Sequence, residues 1–168
     1  MIFSENIVKK MYIIHNYLIR YNHKLSAVES CTSGLVSSII TYHSESSKFF
    51  ENGLVVYSDN AKIKNLKIDE EKLKKFTAVS EEICNDMLIN YQKITNSDFV
   101  LATTGYADYY KNIQNSSLIF LGIKLFDKAP IIIKKKYNND RNTNRIIATE
   151  DLIELLIENL PNINYNIA

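Results

Sequence analysis

Ala27-Val28-Glu29-Ser30-Cys31-Thr32-Ser33-Gly34-Leu35 reads as the end of a strand, a polar turn and the start of a helix. A short, largely apolar run from Leu25 to Val28 leads into the turn, and Leu35 to Ile40 carries a helical pattern out of it. In an α/β protein such a turn can hold a hydroxyl against the amides of a helix N-terminus. Their partial positive charge suits an anion or a developing oxyanion. On this reading Ser30 is a candidate nucleophile; the alternative is that Ser30 and Thr32 cap the helix. Glu29 either hydrogen-bonds within the turn or faces solvent.

Working outward, Ile7, Met11, Ile14, Leu18 and Ile19 recur at helical spacing, so residues 4–21 read as an amphipathic helix. Leu25–Glu29 reads as a strand and Ser33–Tyr42 as the helix after it. Phe49–Tyr57 reads as a buried strand with a bulge at Gly53. Asn60–Leu66 and Glu70–Lys75 are short helices, and Ser80 caps another that runs to about Lys93. Phe99–Thr103 is a strand ending at Thr104-Gly105. Ser117–Phe126 and Pro130–Tyr137 form a hairpin around Asp127-Lys128, and Asn142 to Leu160 is a final helix. This order predicts a single domain over residues 1–168, an α/β fold built as a three-layer α/β/α sandwich with a mixed, mostly parallel sheet. Ligands in such folds favour the carboxyl ends of the strands, and Ser30, Tyr57 and Thr104 all follow predicted strands.

The 168 residues suffice to bury a sizeable core. A net charge of +1 carries no electrostatic footprint for nucleic acid or an anionic membrane. Lys134-Lys135-Lys136 reads as a solvated strand edge. No apolar run approaches the roughly 20 residues that span a bilayer, and Glu5, Asn6, Lys9 and Lys10 interrupt any signal-peptide pattern, so a cytoplasmic protein is expected. Two cysteines, Cys31 and Cys84, point to a reduced compartment. Cys31 adjoins the candidate nucleophile but has no histidine partner nearby, and ranks below Ser30. His15, His23 and His43 have no metal-ligand spacing, so no metal is expected. No P-loop or dinucleotide fingerprint occurs, so no cofactor is expected either.

Four further stretches follow the first: Gly53-Leu54-Val55-Val56-Tyr57-Ser58-Asp59-Asn60-Ala61-Lys62, Ala78-Val79-Ser80-Glu81-Glu82, Ala102-Thr103-Thr104-Gly105, and Asp140-Arg141 with Asn144-Arg145. In this order the chain resembles the CinA C-terminal domain family, which includes stand-alone nicotinamide mononucleotide (NMN) deamidases. The resemblance runs from about residue 8 to about residue 158, and it is to the stand-alone form. The first two motifs together are specific; the others are weak singly.

Deamidation is acyl transfer and needs a nucleophile, a base, an oxyanion stabiliser and a substrate seat. No Ser-His-Asp set is visible. Lys62 can act as a base only if burial or positive neighbours lower its pKa; otherwise it is a plain surface lysine. Tyr57, five residues before Lys62, could relay a proton or orient the lysine. The resemblance implies Ser30 as nucleophile with Tyr57 and Lys62 activating it. It also implies turn amides, with Thr32, Ser33 and Gly34, facing the oxyanion, and Thr104 and Gly105 lining the pocket. Arg141 and Arg145, four apart on one helix face, suit a phosphate monoester, the alternative being two solvent-facing arginines. The implied partner is a small-molecule nucleotide, with a homodimer as the expected assembly.

Two departures stand out. Ser33 replaces the first glycine of the family's C-T-G-G and is expected to narrow the ligand space. The family's T-G-x-A-G-P has become Thr104-Gly105-Tyr106-Ala107-Asp108-Tyr109, followed by Tyr110-Lys111. Tyr109 and Tyr110 are expected to fill part of the pocket or to stack on a ring. This altered loop leaves two alternatives open: a catalytically silent nucleotide-binding or interaction protein, and hydrolysis of another small amide.

Overall fold

Ser4 starts the first helix, α1 (Glu5–Arg20), by accepting a hydrogen bond from the Ile7 amide. Glu5 in the first turn and Arg20 in the last complement the helix dipole. Ile7, Met11, Ile14 and Leu18 form the buried stripe that the sequence periodicity indicates. The computed structural model describes residues 2–109 and 116–161.

Strand β1 (Leu25–Glu29) is buried along its whole length and lies between β2 (Phe50–Val55) and β3 (Phe99–Gly105), parallel to both. Strands β4 (Leu118–Leu125) and β5 (Ile131–Lys136) extend the sheet as an antiparallel hairpin, giving the order β2-β1-β3-β4-β5. Only β4 runs against the others, so the sheet is mixed and mostly parallel, as expected.

Helices cover both faces. Alternation along the strands divides the core: Leu25, Ala27, Phe99, Leu101, Ile119 and Leu121 face α1, α2 (Leu35–Ile40) and α6 (Arg141–Asn159). Val28, Val100, Ala102 and Phe120 face α3 (Asp59–Leu66), α4 (Glu70–Phe76) and α5 (Glu81–Thr95). Each fully buried Leu or Ile in these layers contributes about 1.5–3 kcal/mol. Ser58, Asp69, Ser80 and Asp140 cap α3, α4, α5 and α6 with side-chain oxygens.

Three local expectations need correction. Strand β2 is an exposed edge rather than a buried strand, since β1 covers one side of it and, among the described residues, no strand lies on the other. The bulge falls at Glu51, where the register skips from Leu25↔Phe50 to Ser26↔Asn52, and not at Gly53. Gly53 instead makes room for a neighbour: a Cβ there would lie 2.6 Å from Ser37 Oγ. Helix α2 begins at Leu35 rather than Ser33, because Ser33 and Gly34 both adopt left-handed backbone, with φ of +50° and +98°. Lys134, Lys135 and Lys136 are exposed on the β5 edge, as read from the sequence. Tyr110 and Lys111 lie outside the described residues. Among the described residues no helix is long and apolar enough to cross a membrane.

Candidate active site

The carboxyl ends of β1, β2 and β3 point the same way, and Ser30, Tyr57 and Thr104 stand at or just beyond them. A cavity of about 500 Å³ opens there. Ser30, Cys31, Tyr57, Asp59 and Lys62 form one wall, and Thr104 through Asp108 with Arg141 form another.

Ser30 is held by its backbone. Its amide donates to the Thr103 carbonyl at 3.0 Å, which fixes the turn against β3. Lys62 comes from α3, whose start is set by the Ser58 cap, and its side chain is 1% exposed. Its Nζ donates to Ser30 Oγ at 3.1 Å and to the Val56 carbonyl at 2.9 Å. Burial lowers the Lys62 pKa, with Asp59 pulling weakly the other way. The ammonium therefore releases its proton more readily than a surface lysine, and the neutral amine still has an N–H for Val56 and a lone pair for the Ser30 hydroxyl. Cys31 is buried, and burial pushes its thiol up to about 12, so it holds its proton at neutral pH.

The group that builds the turn is Glu29. It is fully buried at the end of β1. Its Oε2 accepts from Thr32 Oγ1 at 2.7 Å, the Gly34 amide at 2.8 Å and the Val36 amide at 3.1 Å. Its Oε1 accepts from the Ser37 amide at 2.8 Å and Ser37 Oγ at 2.7 Å. An internal carboxylate thus neutralises the N-terminus of α2, the position at which a bound anion would otherwise sit. Neither Ser30 nor Thr32 caps that helix.

This arrangement corrects four assignments. Thr32 is fully buried and its hydroxyl bonds Glu29 and Thr103, so it supports the turn from beneath and does not line the cavity. Gly34 gives its amide to Glu29. Ser33 is exposed, bonds back to the Ser30 carbonyl at 3.3 Å and does not narrow the cavity. Arg145 does not line the cavity either; its Nη2 donates to the Thr32 carbonyl at 2.9 Å and ties α6 to the turn. Among the described residues, the turn's amides without a hydrogen-bond acceptor on another residue are those of Cys31 and Thr32.

The other expected residues do line the cavity. Thr104 Oγ1 donates to the Ala78 carbonyl at 2.6 Å, joining β3 to the segment before α5. Gly105 is demanded by close packing: a Cβ there would stand 2.5 Å from the Leu118 carbonyl oxygen and 2.6 Å from Ile119 Cα. Both are backbone atoms of β4 and cannot swing away. Gly105→Ala is expected to splay the β3–β4 pair and lower stability by about 3 kcal/mol, the upper end for overpacking. Urea unfolding checks this, and an unchanged midpoint would refute it. Tyr57 is exposed, and its hydroxyl accepts from Arg141 Nη2 at 2.8 Å. It therefore orients Arg141, whereas the Val56 carbonyl orients Lys62. Arg141 Nη1 is paired with Asp108. Tyr106 lines the cavity, not Tyr109.

Asp108 and the Val56 carbonyl escaped the sequence reading. For Glu29, the first of the two alternatives read from the sequence, hydrogen bonding within the turn, is the one found.

The family model described as the CinA C-terminal domain matches residues 8–160. A CinA-like protein of Prochlorococcus marinus is 37% identical over 143 residues, covering 84% of this chain and 34% of that protein. A putative competence-damage inducible protein of Clostridium kluyveri is 35% identical over 136 residues, covering 80% and 33%. The chain thus spans about a third of the length of the curated relatives it matches. Among solved structures, the competence/damage inducible protein CihA of Agrobacterium tumefaciens aligns with a TM-score of 0.87 at 25% identity, over 93% of this chain and 96% of that one. The competence damage-inducible protein A of Klebsiella pneumoniae aligns with a TM-score of 0.86 at 21% identity, over 94% and 99%, a likeness of fold.

Proposed function

The chain belongs to the CinA C-terminal domain family, and on that premise we propose that it is an amidohydrolase whose nucleophile is Ser30 and whose base is Lys62, acting on the carboxamide of NMN. The observation that carries this reading is the buried lysine amine on the serine hydroxyl. Neutral Lys62 takes the Ser30 proton as Oγ attacks the amide carbon. The Cys31 amide is the nearest backbone donor in sequence to stabilise the oxyanion. The Lys62 ammonium then returns the proton to the leaving nitrogen, and ammonia departs. Water attacks the resulting ester with Lys62 again as base, releasing nicotinate mononucleotide and restoring Ser30.

Ammonia release from NMN by the purified protein is the test, run against pH. The rate is expected to rise with pH and to reach its plateau below the ordinary lysine range, because only the neutral amine accepts the serine proton. A flat profile would remove Lys62 as the base.

Lys62→Met gives a second expectation, worked from the same lowered pKa. Below its folded pKa, wild-type protein keeps a buried charge that the unfolded chain solvates freely. That penalty fades as pH rises through the folded pKa, and it is absent above the unfolded value. The Tm of Lys62→Met relative to wild type should therefore be more favourable at pH 6 than at pH 10. The opposite trend in calorimetry would mean that burial does not dominate at Lys62.

A catalytically silent ligand-binding protein is the second reading. It is favoured by the Asp108–Arg141 pair, which occupies a guanidinium inside the cavity.

A further inference from the structure

Arg141 has two terminal nitrogens with which to grip an anion, and both are engaged inside the cavity. Nη1 is paired with the Asp108 carboxylate, and Nη2 donates to the Tyr57 hydroxyl at 2.8 Å. The other cations on the described wall offer little. Lys74 is shared between Glu70 at 3.0 Å and Glu71 at 3.1 Å, and Lys62 is buried beneath Ser30. Asp59 adds a second carboxylate to the lining. A phosphate dianion entering here must share the guanidinium with Asp108 and lie beside that residue's carboxylate. A carboxamide without a phosphate meets no such competitor.

We propose that Asp108 is a specificity-determining residue that holds Arg141 away from anionic ligands, so that the pocket favours the dephosphorylated, nucleoside-type carboxamide over its phosphomonoester. This rests on the amidohydrolase reading for the identity of the reactive group, and it moves the preferred substrate of that reading from NMN to the nucleoside. The selectivity itself rests on the ion pair, in which the Asp108 carboxylate already partners the Nη1 that a phosphate oxygen would otherwise claim.

The test measures binding apart from turnover. Nicotinamide riboside and NMN are titrated calorimetrically into Ser30→Ala protein and into Ser30→Ala with Asp108→Asn. Asparagine keeps the size of Asp108 and the backbone carbonyl that accepts from the Ser117 amide at 2.6 Å. The first protein is expected to bind the riboside more tightly than NMN. Removing the charge should raise the NMN-to-riboside affinity ratio by about tenfold, a 1.4 kcal/mol change. An unchanged ratio overturns the proposal, as does tighter binding of NMN by the first protein or binding of neither ligand by either protein. Ammonia release from both compounds by protein with Ser30 intact is scored separately. A shifted affinity ratio without any release would preserve the selectivity and discard the amidohydrolase.

Discussion

Ser30→Ala should reduce ammonia release from NMN by at least a thousandfold, on the order of what removing a serine nucleophile removes elsewhere, while the protein stays folded. The contacts that place the turn survive the change. The Ser30 amide still donates to Thr103, and the Ser33 hydroxyl still reaches the Ser30 carbonyl. What is lost is one hydrogen bond from Lys62, which keeps the Val56 carbonyl. Losing a single buried hydrogen bond costs about 1 kcal/mol, or roughly 2–4 °C in Tm for a chain of this size. Cys31→Ala is the matched control. Its buried thiol is not a thiolate near neutral pH, so release should change only a few-fold. Retained activity in Ser30→Ala, or its loss in a folded Cys31→Ala, would move the nucleophile and end the mechanism.

Glu29→Gln is the substitution expected to damage the fold most for its size. The carboxylate accepts on both oxygens and donates nothing, so an amide of the same shape must turn an NH2 toward existing donors. If that NH2 faces Ser37, the hydroxyl can rotate to accept, but the Ser37 amide is left without a partner. An unpaired buried donor costs about 1–3 kcal/mol, and loss of the anion at the start of α2 adds about 1 kcal/mol more. A drop of roughly 10 °C in Tm follows from about 3 kcal/mol at this chain length. Catalysis should fall as well, since α2 and the Ser30 turn share the same anchor. Calorimetry decides it: a Tm within 2 °C of wild type, on the same scale, would mean that the α2 amides find other partners.

Asp108 also marks where sequence reading ran out. The layered architecture was legible because β1, β3 and β4 are short, largely apolar runs and Ser4, Ser80 and Asp140 sit ahead of periodic stretches. Ser30 and Lys62 were legible as a motif pair, and they do meet. The partners of the other polar residues were not legible, because a hydrogen bond across the sheet leaves no periodic trace. Thr32, Gly34 and Arg145 are of types that bind substrates in many sites, yet here they brace the turn. Exposure of β2 was missed for a related reason: Leu54-Val55-Val56 has the composition of a buried strand, and only the strand order reveals an edge.

The tie between Arg145 and the Thr32 carbonyl spans 113 positions, and that between Ser30 and Thr103 spans 73. Contacts this distant along the chain require large loop closures and form slowly compared with local ones. During synthesis the Ser30 turn therefore leaves the ribosome long before either tether exists. The β4–β5 hairpin, with its short connection, can pair as soon as it emerges. Competence for ligand is thus among the last properties this chain acquires as it folds.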